Sequence, residues 1–290
     1  MTGEASTDPI FITGLDRSGK TRLRLLLNGL PDIHIARRSA LLSSLDGAYG
    51  DLRAAGDLEA LADAIGRRPG LRDAIPPLEE LRAMTTSSVD AYAAIFRAVL
   101  ARHALQHGAS RWGEQDTDLM WRTGRLVAAY PSVRVVHVLR DPRARHAAVR
   151  HDRPRTIGLV GATTAAWVAS ARIALADRSR DSERHGIVRS EDLPQDAQPA
   201  FAAELALRRE PAMLTAQLPP GEGWTDAEAR FIERHAAPEM RALGYRPSPR
   251  TVSGWRAVRD RIAHGPPAGV RYHARRFADR RRAGARGLAT

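Results

Sequence analysis

Short apolar runs alternate along this chain with longer stretches whose leucines, alanines and aromatics recur at helical spacing. Residues 9–13, Pro-Ile-Phe-Ile-Thr, stay apolar up to Gly14, the pattern of a buried parallel strand. Leucines at 23, 25, 26 and 27 predict a helix over 19–28 that packs on a sheet. Residues 53–75, rich in alanine, leucine and arginine, predict a helix or two, broken at Pro76-Pro77. Ser87 or Ser88 is placed to cap a long helix over 89–106, with Tyr92, Ile95, Phe96 and Val99 on its apolar face. Residues 111–113 predict a further strand, 119–130 a helix stopped by Pro131, and 133–139 the strongest internal strand. Helices are expected over 143–150 and 164–182, then a strand over 186–189 and helices over 198–208 and 225–243. Strands that alternate with helices predict the α/β class: a three-layer α/β/α fold with a mostly parallel central sheet. One domain over 1–249 accommodates this, followed by an Arg-rich tail over 250–290 that is helical or partly disordered.

Composition narrows the class. The mean hydropathy of −0.36 is that of a soluble globular chain. No run reaches the roughly 18 apolar residues of a membrane span. The first nine residues are polar and acidic, unlike a signal peptide. With no cysteine, disulfides, thiolate metal sites and cysteine nucleophiles are excluded. These features point to the cytoplasm.

Charge is unevenly placed. Of 45 basic residues other than histidine, Lys20 is the only lysine, which marks a position where a guanidinium replaces a compact ammonium poorly. Residues 250–290 carry eleven arginines against Asp260 and Asp279, so nine of the twelve net positive charges sit in the tail. Val270, Ala274 and Phe277 share a helical face there. The tail is read as an amphipathic segment for an anionic membrane surface, as a dock for a polyanion, or as a solvated arginine run. No specific nucleic-acid motif accompanies it.

Lys20 falls in Gly14-Leu15-Asp16-Arg17-Ser18-Gly19-Lys20-Thr21, which fits G-x-x-x-x-G-K-S/T with a strand before it and a helix after it. Glycines let backbone N–H groups turn toward an anion, and a helix N-terminus adds positive potential. Lys20, Ser18 and Thr21 supply further donors. A P-loop kinase or NTPase would also need a Mg²⁺-binding aspartate after an apolar strand. Asp141 is in place for that, but it stands between Arg140 and Arg143.

The opening at 9–19 with Leu25-Leu26-Leu27, followed in register by Leu30-Pro31-Asp32, resembles the start of bacterial and Golgi-type sulfotransferases. Trp112-Gly113-Glu114 is similar to that family's W-G-x-K-T-P segment. Residues 130–143, with His137, Arg140, Asp141 and Arg143, resemble its 3'-phosphate-binding region. Residues 188–193 look like V-R-Y-E-D-L, and Leu243-Gly244-Tyr245 like the family's terminal helix ending. The resemblance implies an α/β fold that takes a sulfuryl group from PAPS (3'-phosphoadenosine 5'-phosphosulfate) and releases PAP, with no metal. The acceptor would be a hydroxyl or amine of a small molecule or glycan. By position it assigns Gly14, Arg17, Ser18, Gly19, Lys20 and Thr21 to the 5'-phosphosulfate and Arg140 to the 3'-phosphate.

The chain also departs from the family pattern. Asp16 replaces a proline, Lys20 a threonine, Ala148 a serine and Ser190 a tyrosine. Arg37 and Arg38 stand where one branch keeps a glutamate base, and they are assigned to the acceptor pocket. A catalytically inactive nucleotide-binding homologue therefore stays open beside the kinase reading. Lys20 can take charge on the leaving group, and Asp116, Glu114 and His34 are the candidate bases, Asp116 first because it lies close to a position where cytosolic members keep a catalytic histidine. Against these stand an N-cap role for Asp116 and strand packing for His34. His137 and Trp167 read as core, and Glu191-Asp192 as a cap. A location at the inner face of a membrane would suit the tail.

Overall fold

The computed structural model describes residues 8–54, 56–153, 156–193, 224–248, 268–275 and 278. Five parallel strands form one sheet: β1 (Ile10–Thr13), β2 (Ile33–Arg37), β3 (Arg111–Gln115), β4 (Arg134–Leu139) and β5 (His185–Arg189). Their order is β2-β3-β1-β4-β5. β1 is central, and the chain leaves it first toward β2 and later toward β4. In such sheets ligands bind beyond the C-terminal ends of the strands where that direction reverses.

Alternate residues of the strands face opposite layers, because side chains on a strand have a period of two. Ile10, Ile12, Val136, Val138 and Val188 pack with Leu23 and Leu27 of α1 (Lys20–Asn28). Phe11, Trp112 and Val135 face the other way, against Ile95, Phe96 and Val99 of the long helix Ala91–Gln106. Leu139 and Ile187 share that second face with Trp167 and Ala171 of Leu159–Arg180. The predicted three-layer parallel α/β fold is what forms.

In chain order the remaining helices are α2 (Asp57–Gly66), α3 (Leu78–Ser87), α4 (Ala91–Gln106), α5 (Thr123–Ala129), α6 (Pro142–Asp152), α7 (Leu159–Arg180) and α8 (Asp226–Ala242). The cap of α4 is Asp90, whose carboxylate accepts from the Ala93 amide at 3.0 Å. Of the two expected caps, Ser87 instead ends α3 and donates to the Ala83 carbonyl, and Ser88 is the C-cap of that helix. Among the described residues α7 alone is long and apolar enough to cross a membrane. It serves as a core helix, with Trp167 and Val168 buried against the sheet and α8 beside it.

Residues 268–275 are helical and dock on the body. Ala268 meets Gly161 of α7, and Tyr272 packs against Phe231 and His235 of α8. The apolar face expected from Val270 and Ala274 is the exposed one, because Ala268 and Tyr272 provide the buried contacts. Phe277, the helix expected over 198–208 and the rest of the tail lie outside the described residues.

Candidate active site

Beyond β1 the chain turns back over the strand ends before entering α1. Gly14, Arg17 and Gly19 all have positive φ, at 129°, 65° and 98°. A Cβ on Gly14 would lie 2.3 Å from the Val138 carbonyl oxygen, and one on Gly19 would lie 2.6 Å from the Ser190 side chain. Both glycines are therefore required by close approach as well as by conformation. Gly19 precedes the first turn of α1, and no side chain among the described residues caps the amides there. Ser18 is buried, and its hydroxyl has no partner among the described residues. Thr21 is exposed on the same first turn.

Lys20 is buried inside the loop. Its Nζ donates to the carbonyls of Gly14 and Leu15, both at 2.7 Å, and to Thr117 Oγ1 at 3.0 Å. Burial pulls its pKa down to about 8, with Asp16 opposing and Arg145 adding to the shift. Arg145 of α6 backs the loop, donating to the Asp16 carbonyl at 3.0 Å and the Thr163 carbonyl at 3.3 Å. Burial lowers its pKa to about 10. The Arg17 guanidinium forms an ion pair with Asp152 at 2.5 Å, so in this conformation its backbone alone shapes the loop.

At the end of β4, the Arg140 carbonyl accepts from the Trp167 indole N–H at 2.8 Å. The Arg140 guanidinium has no partner among the described residues. Trp167 is thus core packing, as expected, and fixes the backbone beneath a free cation. Asp141 is consumed by structure: it caps α6 through the Arg143 amide and forms an ion pair with the Arg143 guanidinium at 2.6 Å. A buried carboxylate neutralised in this way is a poor Mg²⁺ ligand. Glu191 accepts from the Asp141 amide at 2.7 Å, and Asp192 pairs with Arg189 at 2.8 Å. His137 is a buried core residue bonded to Ser170 at 2.7 Å.

Two candidate bases stand at the end of β3. Asp116 follows the strand and bonds through its amide to the Ile12 carbonyl of β1. One oxygen of its carboxylate accepts from Ser43 Oγ at 2.5 Å and the other from the Thr117 amide at 2.8 Å. Glu114 points to the α4 side and is fully buried. Its Oε1 accepts from the Leu41 amide at 3.1 Å, whereas Oε2 has no partner among the described residues. Burial pushes this carboxyl up to about 7, and the Asp116 charge adds to the shift against Ser39 and the Leu41 and Ala40 amides. Arg37 and Arg38 are exposed at the end of β2, where the Arg38 amide bonds to the Gln115 carbonyl at 3.1 Å.

A sequence model of the sulfotransferase family matches residues 9–207, which takes in both the loop and the Arg140 segment. The chain belongs to the sulfotransferase family. Solved structures similar to this sulfotransferase include the sulfotransferase domain of the Synechococcus PCC 7002 olefin synthase, at 16% identity and TM-score 0.42, over 100% of this chain and 98% of that one. Sulfotransferase STF1 of Mycobacterium tuberculosis is 18% identical with TM-score 0.37, over 96% and 76%. STF9 of Mycobacterium avium is 14% identical with TM-score 0.42, over 85% and 79%. No curated protein matches significantly.

The structure removes one candidate from the site. His34 lies at the start of β2, in register with Trp112, whereas Asp116 follows the other end of β3. Four residues at about 3.3 Å each separate those levels, about 13 Å along the sheet. His34 stacks on His107 and is no base for a reaction at the loop of this sulfotransferase. Burial, with His107, His103 and Arg24 adding, pushes it down to about 4. Conversely, Thr117 and Arg145 belong to the site without having been picked out. Thr117 directly follows Asp116, and Arg145 is one turn into the helix after Arg140-Asp141-Pro142, so adjacency to matched segments was their only signal.

Proposed function

We propose that this sulfotransferase uses PAPS as donor and transfers its sulfuryl group to a hydroxyl or amine of a small-molecule or glycan acceptor. The observation that carries the reading is a glycine-turned cradle holding one buried ammonium and one unpartnered buried hydroxyl, Lys20 and Ser18, beside the acid Asp116. Ser18 Oγ, which has no partner among the described residues, is placed to bond a phosphosulfate, and Lys20, whose three N–H groups already bond Gly14, Leu15 and Thr117, gives up one of these bonds to do so. The Arg140 guanidinium, without a partner among the described residues and beyond the neighbouring strand, fits a second phosphate on the same nucleotide. The donor supplies an activated S–O bond, which breaks toward PAP as a new bond forms to the acceptor.

The residues divide the work by charge. Lys20, the first-turn amides of α1 and Ser18 stabilise negative charge on the departing phosphate oxygen. Asp116 is the residue we assign to take the acceptor proton, because it is half-buried at the edge of the sheet, whereas Glu114 is sealed beneath it. Arg37 and Arg38 flank that edge and favour an acceptor carrying negative charge.

Thermal shift with PAP in the absence of magnesium tests the donor. A rise in Tm with PAP, and none with Mg-ATP alone, is the expected result. Stabilisation only by Mg-ATP would overturn the reading in favour of a kinase or NTPase.

A further inference from the structure

Three histidines gather at the end of the sheet away from the phosphate loop. His34 points from β2 to the α4 layer, and His103 and His107 lie four residues apart at the C-terminal end of α4, on one helix face. The rings of His34 and His107 are stacked with centroids 3.9 Å apart, and His103 stands edge-on to both at 4.9 and 4.5 Å. One ring nitrogen from each lies within 4.8 Å of the other two. We propose that His34, His103 and His107 form a binding site for one borderline divalent transition ion, with Zn²⁺ as the physiological type, which ties the start of β2 to the end of α4.

The hydrogen bonding leaves nitrogen lone pairs for the ion. His107 Nδ1 contacts the His103 carbonyl at 2.8 Å. A carbonyl only accepts, so Nδ1 carries the proton and Nε2 is free to coordinate, with the backbone orienting the ring as metal-bound imidazoles are usually oriented. His103 is buried, and its Nδ1 has no partner among the described residues. A buried polar atom left unsatisfied is destabilising, a cost that a bonding partner in the cluster would offset.

Two ligands held 2.0–2.1 Å from a tetrahedral ion lie about 3.4 Å apart, so His34 and His107 must turn out of their stack for their in-plane lone pairs to converge on one ion. Imidazole suits Zn²⁺, Co²⁺, Ni²⁺ and Cu²⁺, while Mg²⁺ and Ca²⁺ demand oxygen ligands. His107 is exposed, giving the ion an entry route and leaving the fourth position to water. Arg24 of α1 brings positive charge toward His34, which weakens the site relative to an uncharged surround. Its distance from Asp116 makes this site structural, and it takes no part in sulfuryl transfer.

Tag-free, EDTA-stripped protein titrated with Zn²⁺ by calorimetry, and with Co²⁺ by visible absorption, tests the assignment. The expected result is one ion per chain, tetrahedral Co²⁺ bands, and a Tm rise of about 4–5 °C at hundredfold excess over Kd, with none for Mg²⁺. His107→Asn, an exposed change at a helix end, should keep the circular dichroism of the parent and lose at least tenfold in affinity. His151→Asn, on the exposed surface of α6, should bind like the parent. Absence of a one-to-one complex, or equal binding by the parent and His107→Asn, would overturn the proposal.

Discussion

Lys20 Nζ donates to Thr117 Oγ1 at 3.0 Å, joining the phosphate loop to the segment after β3 across 97 positions of sequence. Thr117 Oγ1 in turn donates to Asp16 at 3.1 Å, and the Thr117 amide donates to Asp116. Threonine therefore sets the spacing between the ammonium and the proposed base. Lys20→Ala should lower kcat/KM by about 100-fold or more, the usual cost of removing a preorganised donor from a developing charge. Lys20→Arg should not restore it, since a planar guanidinium cannot replace an ammonium that fits between two carbonyls at 2.7 Å. Thr117→Val should lower kcat with PAP affinity little changed. Steady-state sulfate transfer and calorimetric PAP binding would decide; undiminished turnover in Lys20→Ala removes the cradle from the mechanism.

The pH response follows from two shifted groups. Lys20 is charged below its pKa of about 8, so transfer should decline as pH rises through 8. Glu114 has the opposite bearing on stability. Its folded pKa of about 7 lies above the reference 4.5, so the native state binds the extra proton between these values. That contribution is fully present below pH 4.5 and lost as pH rises through 7, by up to about 3 kcal/mol. Glu114→Gln keeps an acceptor for the Leu41 amide and carries no charge. It should match the parent in Tm near pH 4.5 and exceed it at pH 8; equal Tm values at both would contradict the buried-carboxyl account.

How much of this was legible in the sequence depended on whether local pattern or long-range packing decided the matter. The loop was readable because Gly14, Gly19 and Lys20 meet constraints of their own backbone. Trp167 was correctly expected in the core because it sits in an alanine-rich helix. Strand β2 is short and ends in Arg37, so its apolar alternation did not stand out, and the position of His34 along it depended on pairing with Trp112. Asp90 caps α4 in place of Ser87 or Ser88 because α3 runs up to Ser87 and Ser88 is its C-cap. Thr117 and Arg145 act through bonds of 97 and 129 residues' separation, which no local pattern reports.

Arg140 offers a test of the nucleotide that is independent of the loop. Its guanidinium is unpartnered among the described residues while its carbonyl is pinned by Trp167. A charge-assisted bond of about 1.5–3 kcal/mol converts to about 10- to 100-fold in affinity. Arg140→Ala should therefore weaken PAP by that factor and leave adenosine 5'-phosphosulfate, which lacks the 3'-phosphate, unaffected. Calorimetry with both nucleotides measures it, and equal losses for both would place Arg140 elsewhere in the site.

The choice between the two acids can be made by isosteric amides. Asp116 is half-buried at the strand edge, with Ser43 and Thr117 fixing its carboxylate, so Asp116→Asn keeps the acceptor for the Thr117 amide and removes only the proton-accepting charge. General-base catalysis is worth about 10²–10⁴, and kcat should fall within that range with PAP binding intact. Glu114 is enclosed by Leu41, Ser39 and the sheet and cannot meet an acceptor without rearrangement. Glu114→Gln should keep kcat within about threefold, because truncating a group that never touches the acceptor leaves transition-state binding largely unchanged. If instead Glu114→Gln abolished turnover and Asp116→Asn did not, the proton would have to leave through the interior of the sheet, and the pKa of about 7 would belong to the working base.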